Sequence, residues 1–454
     1  MTATTETTAG LPPLTSDLPA VERRPVLPRG FLAGAATCGI KASGRPDLAI
    51  VATSNGPAAA AAVFTTNTFA AAPVRLSKRH LGDGHFGTAR AIISTSGSAN
   101  AATGAAGDDD QTRIGDALAA ALGFGGQSEL TLHLSTGVIG TRLPVDRVVA
   151  GIEDLAAHLS SDDGALLAAA EALRTTDSKA KIVTTSVALP GVGDVQVTVS
   201  GIAKGVGMIH PRMATMLSIV LTDAAVDPGT LHGLLRAATV KTWNQLSVDG
   251  DTSTNDTVFL LASGAAGGKP VPAGSAAAAS LGKAIEAIAR DLARQQAADG
   301  EGATTLLTCQ VSGAVDDAEA RAVARAVISS SLVKAAIHGR DPNWGRVAGA
   351  AGNARLADAP LLVAAGLPSA DAERRAGRPA SLDPDRLRIS IAGHPVFDGS
   401  RGGPVAFDRS AARAAMEASE VLVRLDLGLG EGNGEAFGCD LTEAYVVENS
   451  EYTT

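Results

Sequence analysis

From Arg29 onward, short apolar runs alternate with helix-length stretches, and this alternation predicts a layered α/β protein. Two compositional observations agree. The chain has 454 residues, of which 45% are hydrophobic, so it can bury a large core. Only 3% are aromatic, while glycine contributes 51 residues and alanine is abundant, so that core is built mainly from aliphatic side chains. No repeat of short fixed period interrupts the alternation.

The elements follow in order. Residues 1–28 are rich in Thr, Pro and small side chains without an apolar period, and read as a mobile leader. Residues 48–53 and 58–65 are strands separated by an Asn55-Gly56-Pro57 turn, and residues 89–94 are another. Asp108, Asp109 and Asp110 precede a helix that ends near Gly123, because acidic residues suit a helix N-terminus. Residues 130–134 form a strand that runs into STGVIG, and helices follow near 145–159 and 163–174. A hairpin spans 182–200 and turns at Pro190-Gly191. After residue 215 come a strand to residue 221, a helix near 228–241 and a strand at 256–262. Residues 263–280 have the Ala, Gly, Pro and Ser content of a surface loop. A helix over 281–295 leads into DGEGAT, then a strand over 305–312 and one helix over 316–336. Residues 364–383 read as an exposed insertion. The C-terminal part reads as a strand pair, a helix at 408–417 and a hairpin closing through GLGEGNG at 428–434.

Bulk properties exclude several classes of function. A net charge of −9 without a Lys/Arg cluster disfavours nucleic-acid binding. No apolar run reaches the length of a membrane span, and the N-terminus lacks the charged-then-apolar order of a signal peptide. Cys38, Cys309 and Cys439 are far apart and odd in number, so a reducing cytoplasm is the expected location. No His/Asp/Glu cluster has metal spacing, and no metal is expected. Two Gly-rich stretches are not phosphate loops: GVGMIH lacks a final glycine and a following helix, and GLGEGNG lies between strands.

The most informative segment is KGVGMIHPRMATMLSIVLTD, residues 204–223. A lysine, a Gly-rich turn and a threonine precede an apolar run with the pattern of a strand. A threonine hydroxyl is a weak nucleophile without an adjacent base. If the Ala214–Thr215 bond is cut, the new α-amine of Thr215 becomes that base, since it titrates near pH 8. Read locally, the same residues also suit a plain turn entering a strand.

This segment resembles the self-cleavage motif of the ornithine acetyltransferase family, the glutamate N-acetyltransferases. Six further stretches are similar to the family in its order: GIKASGRPDLAIV at 39–51, STGVIG at 135–140, TTD at 175–177, DGEGAT at 299–304, HGRDPNWGR at 338–346 and the terminal GCDLTEAYVVENSEYTT. Together they run from about residue 29 to the last residue. The resemblance implies helices on two stacked β-sheets, the αββα arrangement of N-terminal-nucleophile enzymes. It implies cleavage into an α part, 29–214, and a β part, 215–454.

The resemblance also implies the site. Thr215 is the nucleophile, and Thr136 and Gly137 stabilise the oxyanion; a strand ending in Thr-Gly can aim a hydroxyl and an N–H at one point. Lys204 contacts substrate, and its charge suits an α-carboxylate. Glu301 suits the cationic amine of ornithine. Thr175 or Thr176, together with Asn449 and Thr454, complete the substrate contacts, with the strand-like YVV run (445–447) pinning the tail. His338 and Arg340 are read as structural. His210, Arg212 and Ser98 depart from the commoner family pattern, which bears on the choice of acyl acceptor.

The implied reaction passes acetyl from N-acetylornithine to glutamate through an acyl-enzyme, without a cofactor; acetyl-CoA is an alternative co-substrate. The cleaved chains are expected to associate as two α and two β. Two alternatives stand beside this reading: an amidohydrolase or aminopeptidase releasing the same acyl-enzyme to water, and an uncleaved binding protein.

Overall fold

The computed structural model describes residues 11, 17–210 and 216–451. The chain divides into two compact units. The larger contains Leu18–Asn244 and Asp251–Asp299, and the smaller contains Gln245–Gly250 and Gly300–Ser450.

The larger unit is built on two sheets. The first holds β1 (Phe31–Ala36), β2 (Leu48–Thr53), β5 (Ala91–Ser98) and β6 (Thr131–Val138), in the order β1-β2-β5-β6. The second holds β3 (Ala58–Phe64), β4 (Phe86–Ala89), β7 (Lys181–Leu189), β8 (Val195–Lys204), β9 (Leu217–Thr222) and β11 (Thr257–Ala262), in the order β4-β3-β11-β9-β8-β7. Helices are α1 (Ala72–Leu81), α2 (Gly104–Ala121), α3 (Val145–Ala156), α4 (Asp163–Leu173), α5 (Pro228–Lys241) and α6 (Ala276–Ala298).

The apolar run of β2 shows how the layers arise. Alternate side chains of a strand face opposite ways. Leu48 and Ile50 enter a core with Ile114 of α2 and Val148 and Ile152 of α3. Ala49 and Val51 enter a second core, shared with Ile219 of β9 and Phe259 of β11 from the other sheet. The two sheets therefore face each other across one core, with α2 and α3 on the outer side of the first. Helix α4 packs against β1, β2 and β5 of one sheet and β7 and β8 of the other. Its sequence, DGALLAAAEAL, suits that place: Leu166, Ala169, Ala170, Ala172 and Leu173 form one broad buried face in the core between the sheets. Helices α5 and α6 pack on each other and on the second sheet.

The smaller unit has one seven-stranded sheet. It contains β10 (Leu246–Ser247), β12 (Leu306–Ala314), β13 (Arg388–Ile391), β14 (His394–Asp398), β15 (Gly403–Pro404), β16 (Glu420–Asp426) and β17 (Gly432–Cys439), ordered β10-β17-β12-β16-β13-β14-β15. Its helices are α7 (Asp317–Ser329), α8 (Ser331–His338), α9 (Trp344–Gly352), α10 (Ala359–Ala364), α11 (Ser369–Arg375), α12 (Arg409–Ala415) and α13 (Glu443–Glu451). Helix α7 lies on β12 and β17.

The layered α/β class is as expected, but several elements differ. Residues 18–28, read as part of the leader, lie along β7. Glu22 forms a bridge with Thr184, and the Thr185 and Ser200 hydroxyls donate to the carbonyls of Ala20 and Val26. Helix α2 starts at Gly104, so the three aspartates lie within it. The single helix over 316–336 is two, because the Ser330 hydroxyl caps α8 by accepting from Val333 N. Residues 364–383 are not merely an exposed insertion: α11 buries Ala372, and Arg375 pairs with Asp316 at 2.5 Å. The GLGEGNG hairpin does not form, since β12 lies between β16 and β17, parallel to one and antiparallel to the other. The YVV run is in α13, not a strand.

Strand β17 meets α7 at its glycines. A Cβ on Gly434 would lie 2.6 Å from the main-chain nitrogen of Arg321. Gly434→Ala is expected to cost about 1–3 kcal/mol through overpacking. Urea unfolding measures this, and an unchanged midpoint would contradict the contact.

Candidate active site

The paired strands β5 and β6 run parallel, with Ser96 opposite Thr136 and Gly97 opposite Gly137. Their close approach there decides the residue type. Gly137 has φ +128°, and a Cβ on it would lie 2.6 Å from the carbonyl oxygen of Gly97, so only glycine fits. Asn255 holds the same strand end, its amide donating to Ala99 O at 2.7 Å and Ser135 O at 2.8 Å. Thr136 is 9% exposed, and its Oγ1 accepts from Lys204 Nζ at 3.0 Å. A hydroxyl that accepts from an ammonium turns its own proton elsewhere as a donor.

Lys204 is the last residue of β8, and the peptide that follows it is fixed at both ends. Gln296 Nε2 donates to Lys204 O at 2.8 Å, and Gln296 Oε1 accepts from the indole of buried Trp243. Gly205 N donates to Asp177 Oδ1 at 2.8 Å. Gly205 itself has φ +134°, a conformation that suits glycine.

Asp177 is the last residue of the TTD stretch. Its carboxylate accepts from Lys181 Nζ at 2.6 Å, from Gly205 N, and from Thr175 N at 3.1 Å. Lys181 is fully buried and also donates to Asp299 Oδ2 at 2.6 Å. Burial alone would raise the pKa of Asp177. The Lys181 and Lys204 charges and the donated hydrogen bonds outweigh it and bring the group down to about 2. Nearby, Lys41 of the 39–51 stretch donates to Ala172 O at 3.0 Å, and Arg45 donates to Thr175 O at 3.0 Å. Burial, then the Arg45 charge, lowers Lys41 to about 8.

In the smaller unit, Asn449 Nδ2 donates to Glu301 Oε2 at 3.0 Å. The link follows from α13, whose first turn is anchored by Thr442, the Thr442 hydroxyl donating to Gly302 O at 2.7 Å. His338 reaches Asp440 and Glu443 at 3.3 and 3.1 Å, tying α8 to the start of α13.

The larger unit therefore brings together Thr136, Gly137, Lys204 and the Thr175–Asp177 stretch, and the smaller brings together Glu301 and Asn449. Ala214, Thr215, Thr454 and Arg212 lie outside the described residues. The Ser98 hydroxyl donates to Thr141 O at 2.8 Å, and His210 O accepts from Thr252 Oγ1 at 2.9 Å. Sequence reasoning passed over Asp177, Lys181 and Asp299. Two of them stood inside quoted motifs, and the four-residue spacing of Asp177 and Lys181 was a local signal for the pair. Among the described residues no group of His, Cys, Asp or Glu could hold a metal ion, and no helix is long and apolar enough to cross a membrane.

Residues 32–454 match the family model described as the ArgJ family. The arginine biosynthesis bifunctional protein ArgJ of Thermosynechococcus vestitus is 44% identical over 442 residues, covering 94% of this chain and 97% of that protein. The protein of the same name from Deinococcus radiodurans is 42% identical, covering 97% of this chain and all of its own length. A solved ornithine acetyltransferase from Mycobacterium tuberculosis, in complex with ornithine, is 38% identical, with a TM-score of 0.39, over 43% of this chain and 99% of that one.

The depressed Asp177 carboxylate makes stability depend on acid. Its stabilisation is fully present above the unfolded value near 3.8 and is lost as pH falls towards about 2. The contribution at neutral pH is about 2 kcal/mol. Asp177→Asn should flatten the stability profile between pH 4 and 2, about the range of those two values. Denaturant titrations across that range test it; an unchanged slope would mean Asp177 is not the responsible group.

Proposed function

Since the chain belongs to the ArgJ family, we propose that it is an acetyltransferase of arginine biosynthesis that moves acetyl from N-acetylornithine to glutamate. The observation that carries the reading is the family match over residues 32–454. The geometry around Thr136 supports it.

In this reading the Ala214–Thr215 bond is cut by the chain itself, and Thr215 becomes N-terminal. Its Oγ attacks the acetyl carbonyl of N-acetylornithine while its α-amine takes the hydroxyl proton. The carbonyl oxygen becomes an oxyanion, which accepts from the Thr136 hydroxyl and the Gly137 N–H. Lys204 supports this by donating to Thr136 Oγ1 at 3.0 Å, leaving the threonine proton for the oxyanion. The C–N bond then breaks, the departing amine takes the proton, and ornithine leaves. The amine of glutamate attacks the acetyl ester while the Thr215 α-amine takes its proton, the C–O bond breaks, and that proton passes to the threonine oxygen, regenerating Thr215. Acetyl-CoA would acylate Thr215 in the same way.

The remaining groups hold substrate. Lys204 offers further protons to an α-carboxylate, Glu301 takes the side-chain amine of ornithine, and Thr175 or Thr176, Asn449 and Thr454 add contacts. The two chains stay associated, as two copies of each, in the cytoplasm. The β8–β9 pairing supports such cohesion, because it joins residues before and after the cleavage point.

Intact-mass measurement of active protein is expected to give fragments ending at Ala214 and starting at Thr215, and Thr215→Ala should remain one chain. The cleaved enzyme should exchange acetyl between N-acetylornithine and labelled ornithine without glutamate. Full activity from an uncut chain would overturn the N-terminal nucleophile, and water consumed as fast as any amine would make the protein a hydrolase.

Glu301→Gln should weaken N-acetylornithine relative to acetylated donors with neutral side chains. Loss of a charge-assisted contact is worth roughly 1.5–3 kcal/mol, or about ten- to a hundredfold in kcat/KM. Steady-state kinetics across both donor types measure the ratio. Equal losses on all donors would remove Glu301 from amine recognition.

A further inference from the structure

We infer that Asp177 is a positioning residue for acetyl transfer, fixing the Lys204–Gly205 peptide and, through Lys204, the hydroxyl of Thr136. The inference rests on the acyl-transfer reading above and names a residue which that reading does not use.

The argument begins with one peptide plane. Its oxygen, on Lys204, accepts from Gln296 Nε2 at 2.8 Å, and its nitrogen, on Gly205, donates to Asp177 Oδ1 at 2.8 Å. A peptide held at both its oxygen and its nitrogen cannot rotate about its flanking bonds without breaking a buried hydrogen bond. Gly205 needs such restraint, since at φ +134° it has more accessible conformations than any other residue type would. With the plane fixed, the Lys204 Cα–Cβ direction is fixed, and Nζ is delivered 3.0 Å from Thr136 Oγ1. The second carboxylate oxygen of Asp177 restrains Thr175 N, so one side chain sets two main-chain segments at once.

The rest of the cluster serves to keep that carboxylate charged and still. Asp177 is 2% exposed, and the Lys181 ammonium beside it is itself held by Asp299. Ser178 N donates to Asp299 Oδ2 at 3.1 Å, which orients the last member. Buried ion pairs are poor stabilisers compared with apolar side chains of the same volume, so orientation is the better account of three charged groups here. Gln296 is fully buried and held by Trp243, so the opposite grip on the peptide is equally rigid.

The test is a double-mutant cycle on the full chain. It reads acetyl exchange between N-acetylornithine and labelled ornithine, normalised to cleaved enzyme by intact mass. Asp177→Asn should lower kcat roughly ten- to a hundredfold, because Thr136 meets charge only as it develops, and should raise KM as well, because Lys204 also holds the donor's α-carboxylate. On a Lys204→Met background the same change should lower kcat less than about threefold, since the residue it acts through is gone. Equal losses on both backgrounds would overturn the inference and leave the acyl-transfer reading intact. Wild-type exchange by Lys204→Met and by Thr136→Ala would overturn both. If Asp177→Asn does not fold, Asp177→Asn/Lys181→Met, which removes both charges together, takes its place under the same criterion.

Discussion

The arrangement depends first on the antiparallel pairing of β8 with β9. It runs from Val199 opposite Thr222 to Lys204 opposite Leu217, six consecutive rungs in the middle of the second sheet. On the other side of β9, β11 pairs in parallel, and β3 then pairs with β11. Strands from before and after residue 215 are thus interleaved as β3-β11-β9-β8. Neither stretch can keep its core without the other. The side chains confirm this dependence: Ile202 of β8 and Ile219 of β9 face the same core as Val51 and Leu134 of the first sheet. The same register puts Lys204 opposite Leu217, two residues along the chain from the expected nucleophile.

That pairing also explains which residues could change. Ser200 and Gly201 on β8 serve opposite sides of the sheet. The Ser200 hydroxyl holds Val26 O, whereas Gly201 leaves room for Ile288 and Leu292 of α6. A bulkier residue at 201 would push α6 away from the strand that ends in Lys204, and α6 carries Gln296. Packing on the outer face of the sheet and the position of Lys204 are therefore one mechanical problem.

Much of this was legible in the sequence where local pattern and tertiary structure agree. The β7–β8 hairpin around Pro190-Gly191 is a local event, and so is α5, with Asp227 capping it and Pro228 at its start. The β16–β17 hairpin was misread because the pattern of two strands and a Gly-rich link carries no information about an inserted third strand. Strand β12, more than a hundred residues earlier, occupies the place between them. The YVV residues prefer strands, yet α13 forms, because Thr442, Asp440 and His338 fix its start. At the site, Thr136, Gly137 and Lys204 could be named from motif resemblance, while the Lys204–Thr136 contact required two sheets to face each other. Asp299 joins Lys181 across 118 residues, a partnership that no local spacing announces.

Helix α4 has one more effect, through where it ends. It packs on strands of both sheets of the larger unit, and its last residue is Leu173. Arg174 then leads into Thr175, Thr176 and Asp177, and its guanidinium donates to Asp177 O at 2.8 Å. The end of an alanine-rich helix thus delivers the carboxylate that accepts from Gly205 N, beside the lysine that reaches the Thr136 hydroxyl on the other sheet. A turn added to α4 or removed from it would shift that delivery point by about 5 Å along the helix axis, farther than a hydrogen bond can stretch.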